Sequence, residues 1–142
     1  MIVDANVLLY AVDSTAQFHL PAVTWLQQAL VGASRVGLPW PSLLAFQRLA
    51  THPKVFTNPL TARQSWDVIL GWLAAPVAWV PVPGPKHHQI LGSLLLGGDI
   101  RGNLVTDAHL AALAIENGVA VCSFDSDFAR FASLTWFNPT LA

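Results

Sequence analysis

The chain has 142 residues, 54% of them hydrophobic and only 11% charged, with a net charge of −1. That length fits one domain, residues 1–142, with a sizeable core, and no global basic field attracts nucleic acid, so any RNA or DNA contact must rest on a local patch or on metal ions. The apolar excess, with six tryptophans, leaves surface for others to cover, and a homodimer, a bound partner protein or both are expected.

The chain opens on a short β-branched run, Met1-Ile2-Val3, that stops at Asp4. Ala5, Asn6 and an apolar helical pattern over Val7 to Val12 follow, so residues 1–4 are expected to form a strand that feeds a helix. A longer helix is predicted from Leu20 to Val31, with Pro21 in its first turn. Val36 to Leu38 reads as a second strand. Pro41-Ser42 opens a helix that runs through Ala50 and closes at Thr51-His52-Pro53. Thr61 is placed to cap a helix ending near Leu73, and Val77 to Val80 reads as a third strand.

The most hydrophobic stretch, Val68 to Pro85, contains Pro76, Pro81, Pro83 and Pro85, which would break a membrane-spanning helix. The N-terminus lacks the basic start and small-residue cleavage site of a signal peptide. Cys122 is the only cysteine, so no intrachain disulfide or cysteine-based zinc site is available, and a reducing cytoplasm is the expected compartment.

Lys86 to Leu96 is read as a helix released by Gly97-Gly98. Leu104-Val105 is read as a very short strand, followed by Thr106-Asp107 and a helix over Ala108 to Asn117 with Gly118 at its end. Val119 to Ser123 is a strand, Phe124 to Phe128 turns into a short helix, and Leu134 to Phe137 is a last edge strand. Strands alternating with helices predict an α/β fold with a mainly parallel sheet covered on both faces.

One construction recurs at residues 2–5, 104–108 and 121–126: an apolar strand, then Asp, then helix. In parallel topology the C-terminal ends of all strands share one edge of the sheet, so Asp4, Asp107 and Asp125, with Asp127 two residues on, are expected to converge there. Helix capping accounts for any one of these acids singly, with Thr106 or Ser123 able to share the task. It does not predict that so many of the chain's eight acids lie at strand exits. Carboxylates around one pocket repel one another unless a cation intervenes, and hard oxygen donors select Mg²⁺, with Mn²⁺ as substitute. The cluster points to phosphoryl chemistry.

Helical spacing turns Glu116 away from Asp107, so it is assigned a solvated or structural role, and Asp13 and Asp67 are assigned to the surface. Asp99 precedes the Asp107 segment in a Gly-rich loop and can reach the rim. His109 is read as a helix-packing histidine. His87-His88, adjacent on a helix and so on different faces, is read as a polar helix start. Arg101, Arg48, Lys54 and Arg130 are the candidate phosphate contacts, and Trp40 is the tryptophan to test for stacking on RNA.

The runs I-V-D-A-N-V at the N-terminus, L-V-T-D-A-H-L-A-A-L-A at 104–114 and S-F-D-S-D-F-A-R-F at 123–131 resemble the PIN-domain ribonucleases, and more narrowly the VapC toxins of bacterial toxin–antitoxin pairs. W-P-S-L-L-A-F-Q-R-L-A-T-H-P at 40–53 and the terminal W-F-N-P extend the likeness over nearly the whole chain. The resemblance implies a PIN-like three-layer α/β/α sandwich and an Mg²⁺- or Mn²⁺-dependent endoribonuclease that leaves a 5′-phosphate and a 3′-hydroxyl. It also implies dimerisation and inhibition by a VapB-type antitoxin. Carried over by motif, Asp4, Asp107 and Asp125 are metal-site acids, and Asn6, Ser123 and Asp127 are supporting contacts. Asp125 or Asp127 is the expected base for the attacking water. Most PIN nucleases also carry a glutamate in the helix after the second strand. Here Ser42 to Arg48 holds no acid, with Phe46 or Gln47 in that place, which leaves open a catalytically weak PIN-like domain that binds RNA or its antitoxin. An aspartyl phosphatase and a receiver domain both fail, for want of a second acid beside Asp4 and of the lysine each requires.

Overall fold

The computed structural model describes residues 1–141. Five two-residue strands form one sheet: β1 (Ile2–Val3), β2 (Val36–Gly37), β3 (Ala78–Trp79), β4 (Val121–Cys122) and β5 (Trp136–Phe137). Their order is β3-β2-β1-β4-β5, and every pairing is parallel. Six α-helices join them: α1 (Ala5–Val12), α2 (His19–Leu30), α3 (Trp40–Ala50), α4 (Ala62–Leu73), α5 (His87–Gly97) and α6 (Leu104–Glu116).

The alternation of side chains along a strand builds the three layers. In β1, Val3 joins a core with Val7, Leu8, Leu26, Leu43, Phe46 and Ile69 from α1 to α4. Its neighbour Ile2 faces the opposite way, into a second core with Leu110, Leu113 and Phe128. Cys122 and Val121 of β4 divide between the same two faces. β1 is therefore shielded on both sides, and both its residues are fully buried.

Most elements match the sequence-based expectation to within a few residues. Thr61 caps α4 as expected, in a reciprocal capping box with Gln64, an arrangement that satisfies donors otherwise orphaned at a helix start. One expectation fails. Leu104-Val105 is no strand but the first turn of α6. Gly102, at φ +60°, turns the chain, and the amides of Leu104 and Val105 then bond back to the carbonyls of Arg101 and Gly102. A left-handed residue there suits glycine and ends any extended run. An apolar pair before Thr-Asp fits either state, and the turn decides it.

This correction changes the route by which Asp107 reaches the sheet edge. A crossover helix runs back along the sheet, so the N-terminus of α6, which precedes β4, lies level with the C-terminal ends of the strands. Asp4 and Asp125 arrive from strand exits; Asp107 arrives from a helix start.

Candidate active site

Asp4 follows β1 and caps α1, its Oδ1 accepting from the Ala5 amide at 2.8 Å. Its other oxygen, Oδ2, accepts from the Ser123 hydroxyl at 2.7 Å. Capping and clustering thus coincide in one residue. Ser123, fully buried just past β4, also receives the Asn6 Nδ2 at 3.1 Å and the Asp125 amide at 2.9 Å. Asn6 Oδ1 accepts from the Phe124 amide at 3.3 Å. Asp125 in turn caps the 3-10 turn Ser126–Arg130, its Oδ1 accepting from the Asp127 amide at 2.9 Å.

Asp107, Asp125 and Asp127 bring carboxylate oxygens within 4.8 Å of one another, and all three are half-buried. Asp4 lies behind this group, close enough to repel Asp107 and to be repelled by Asp125. The closest-set trio therefore includes Asp127, with Asp4 beside it rather than in it. Burial, and then the charges of Asp4, Asp125 and Asp127, push the Asp107 carboxyl up to about 7, with Arg130 opposing them. Burial also raises Asp4, against the hydrogen bonds from Ser123 and Ala5. Asp107 is the one acid of the four that accepts no hydrogen bond from the described residues.

The donor set is oxygen only, crowded and short of positive charge. A hard divalent cation fits it, because such an ion takes one or two carboxylates with water and substrate phosphate as its remaining ligands. The residues available to hold it are Asp107, Asp125 and Asp127, with Asp4 in support.

The other candidates disperse. Arg130 is at the site, its Nη2 3.3 Å from Asp127 Oδ1. Arg101 forms a 2.6 Å ion pair with Asp99 on a highly exposed loop. Arg48, in the last turn of α3, and Lys54, in the loop after it, are exposed. Thr106 is exposed and forms no capping bond, and α6 begins without a side-chain cap at Asn103; Thr106 thus takes no part in capping. Trp40 is 39% exposed and stacks on Trp66, rings 14° from parallel. Phe46 is fully buried against Trp72. Gln47 ties α3 to α4 through its Nε2 on the Ala62 carbonyl. Neither Phe46 nor Gln47 bonds to the acids.

Two groupings go beyond the sequence reading, which assigns Glu116 a solvated or structural role and His109 to helix packing but does not join them. Glu116 is structural: it accepts from the Gly84 amide and pairs with His87, whose Nε2 meets His109 Nδ1 at 3.1 Å. His87 and His88 open α5 as expected, one buried and one exposed, and the buried His87 is in addition a clamp between α5 and α6. Tyr10, Phe18 and Phe124 form an aromatic cluster beside the acids, with Phe18 and Phe124 stacked at 5.2 Å. Neither set has a spacing signal, since their members lie on different elements.

Residues 1–134 match the family model described as PIN domain. The chain is 49% identical over 138 residues to "Ribonuclease VapC37" of Mycobacterium tuberculosis, covering 97% of this chain and 96% of the relative. It is 38% identical over 139 residues to "Ribonuclease VapC33" of the same species, covering 98% and 97%. Among solved structures, VapBC2 from Rickettsia felis, bound to a DNA fragment from its promoter, superposes with a TM-score of 0.72 at 16% identity, covering 96% of each chain. That last likeness concerns the fold alone.

Proposed function

This chain belongs to the PIN-domain family, among the VapC ribonucleases, and from that membership we propose that it is a divalent-metal-dependent endoribonuclease acting as a toxin. Its proposed partners are a VapB-type antitoxin and a second copy of itself, in the cytoplasm; no helix among the described residues is long and apolar enough to cross a membrane. The observation that carries the nuclease reading is the trio Asp107, Asp125 and Asp127, with oxygens within 4.8 Å of one another around an acid raised to about 7. Such crowding is tolerable when a cation occupies the site.

A bound Mg²⁺ or Mn²⁺ would supply charge neutralisation at the scissile phosphate and a more acidic water. The chain's own groups do the rest. Asp107 has its oxygens uncommitted and, with Asp125 and Asp127, would hold the cation. Ser123 and Asn6 lock Asp4 and the Asp125 loop so that these carboxylates need no reordering when substrate binds. Asp125 and Asp127 each commit one oxygen, Oδ1, to hydrogen bonding within the chain, and the other is available to take the proton from the attacking water. Arg130, 40% exposed at its side chain, stands at the rim to meet a phosphate oxygen.

A second reading, binding with feeble cleavage, draws on one observation: α3 offers no carboxylate between Ser42 and Arg48. A cleavage assay in Mg²⁺ or Mn²⁺ with the wild-type chain and Asp4→Asn decides between them. Cleavage that the substitution abolishes supports the enzyme; RNA or antitoxin binding without cleavage supports the alternative.

A further inference from the structure

Near the acidic site, at the C-terminal end of α1, lies a cavity of about 300 Å³ whose lining includes Leu9, Tyr10, Asp13, Gln17, Phe18 and Val55. Tyr10 lies four residues after Asn6 on α1, so the two share a face of that helix. The Tyr10 ring lies 5.3 Å from Phe124, and Phe18 stacks on the same ring. Phe124 stands between Ser123 and Asp125, and its amide bonds to Asn6. The aromatic wall of the cavity is thus built directly on the loop that carries the carboxylates.

We propose that this cavity receives an unpaired base of the RNA strand, one that carries an exocyclic amino group, while a neighbouring phosphate occupies the carboxylate site. The proposal rests on the nuclease reading and extends it to substrate choice. Small-molecule and base sites are concave, largely apolar and fitted with a few convergent polar groups, and this cavity has that make-up. The Tyr10 hydroxyl forms no hydrogen bond with the described residues. Asp13 uses Oδ1 for the Thr15 amide and hydroxyl, and no described residue donates to its Oδ2. A carboxylate oxygen at the wall accepts from the exocyclic amino group of cytosine, adenine or guanine; uracil has no such group and offers that oxygen only its ring N3–H, set between two carbonyls. Lys54 immediately precedes the lining residue Val55, a cation for the adjoining backbone. An entirely apolar wall would favour a protein side chain; the unpaired phenol, the amide of Gln17 and the Asp13 oxygen favour a base.

Fluorescence anisotropy with labelled eight-nucleotide strands tests this: oligo(C), oligo(A), oligo(U) and an abasic ribose-phosphate strand of equal length, in Ca²⁺ with strand integrity checked on gels. The expected result is that oligo(C) and oligo(A) bind about tenfold or more tightly than the abasic strand, the scale of one stacked base. Ala16→Trp, which fills the cavity, should bring both to the abasic level and leave the abasic affinity unchanged. Gln17→Trp, at an exposed position, serves the same purpose should Ala16→Trp misfold. Asp13→Asn should narrow the gap between oligo(C) and oligo(U). Equal wild-type affinity for abasic and base-bearing strands overturns the proposal, as does a filled cavity with undiminished discrimination. Loss of antitoxin binding with oligonucleotide binding intact also overturns it and assigns the cavity to a protein side chain. Failure of every strand to bind overturns the RNA reading itself, a result distinct from base-indifferent binding.

Discussion

The Ser123 hydroxyl donates to Asp4 Oδ2 across 2.7 Å, joining residues 119 positions apart. The same oxygen accepts from Asn6 and from the Asp125 amide, so one buried hydroxyl fixes the exit of β1 to the exit of β4. Replacing it strands three partners at once.

Ser123→Ala is therefore expected to destabilise the chain by about 1–3 kcal/mol, the usual cost of leaving buried polar groups unpaired, and to lower cleavage by loosening Asp4 and Asp125 together. Urea denaturation measures the first and the RNA assay the second. Ser123→Thr, which keeps the hydroxyl, should recover part of both. Wild-type stability in Ser123→Ala would show that the hydroxyl organises nothing.

Stability should depend on pH in a direction set by Asp107. Its folded-state carboxyl titrates at about 7, whereas an unfolded aspartate titrates near 4, so between those values the folded chain holds the extra proton. The stability this contributes is full below the unfolded value and is lost as pH rises through about 7; Asp4, also raised, acts in the same sense. In EDTA the melting temperature should fall from pH 5 to pH 8 by more than in Asp107→Asn. Mg²⁺ or Mn²⁺, which binds the deprotonated acids, should raise it more at pH 8 than at pH 5. A cation-induced shift that shrinks with rising pH would count against these acids as the ligands.

Arg130 and Arg101 should separate cleanly. Arg130 touches Asp127 and lowers Asp107, while Arg101 pairs with Asp99 on the surface. Arg130→Ala is expected to weaken RNA binding, to reduce the salt dependence by roughly one phosphate contact, and to raise the Asp107 titration further. Arg101→Ala should leave all three unchanged. Equal effects in the two variants would remove Arg130 from the site.

Much of this arrangement is legible in the sequence because it depends on local patterns. A β-branched run ending in Asp reports a buried strand with a polar exit, and two such exits, at Asp4 and Asp125, are where the structure has them. Asp107 is legible as a member of the group but not in its setting, because the turn at Gly102, not the apolar pair Leu104-Val105, decides between strand and helix. The four basic candidates resemble one another in sequence and all are exposed; only the contact of Arg130 with Asp127 sets it apart from Arg48, Lys54 and Arg101. Glu116 as a structural acid and His109 as a packing histidine are legible, but their linkage through His87 is not, since the partners lie 29 and 22 positions apart on two helices.

The central claim is that Asp107, Asp125 and Asp127 gather to hold a divalent cation, and calorimetric titration of Mn²⁺ into the wild-type chain and Asp107→Asn tests it most directly. The expected result is saturable binding by the wild type, accompanied by proton release at pH 7 as Asp107 ionises, and a loss of at least tenfold in affinity in Asp107→Asn. Equal Mn²⁺ affinity and equal proton release in the two proteins would contradict the account.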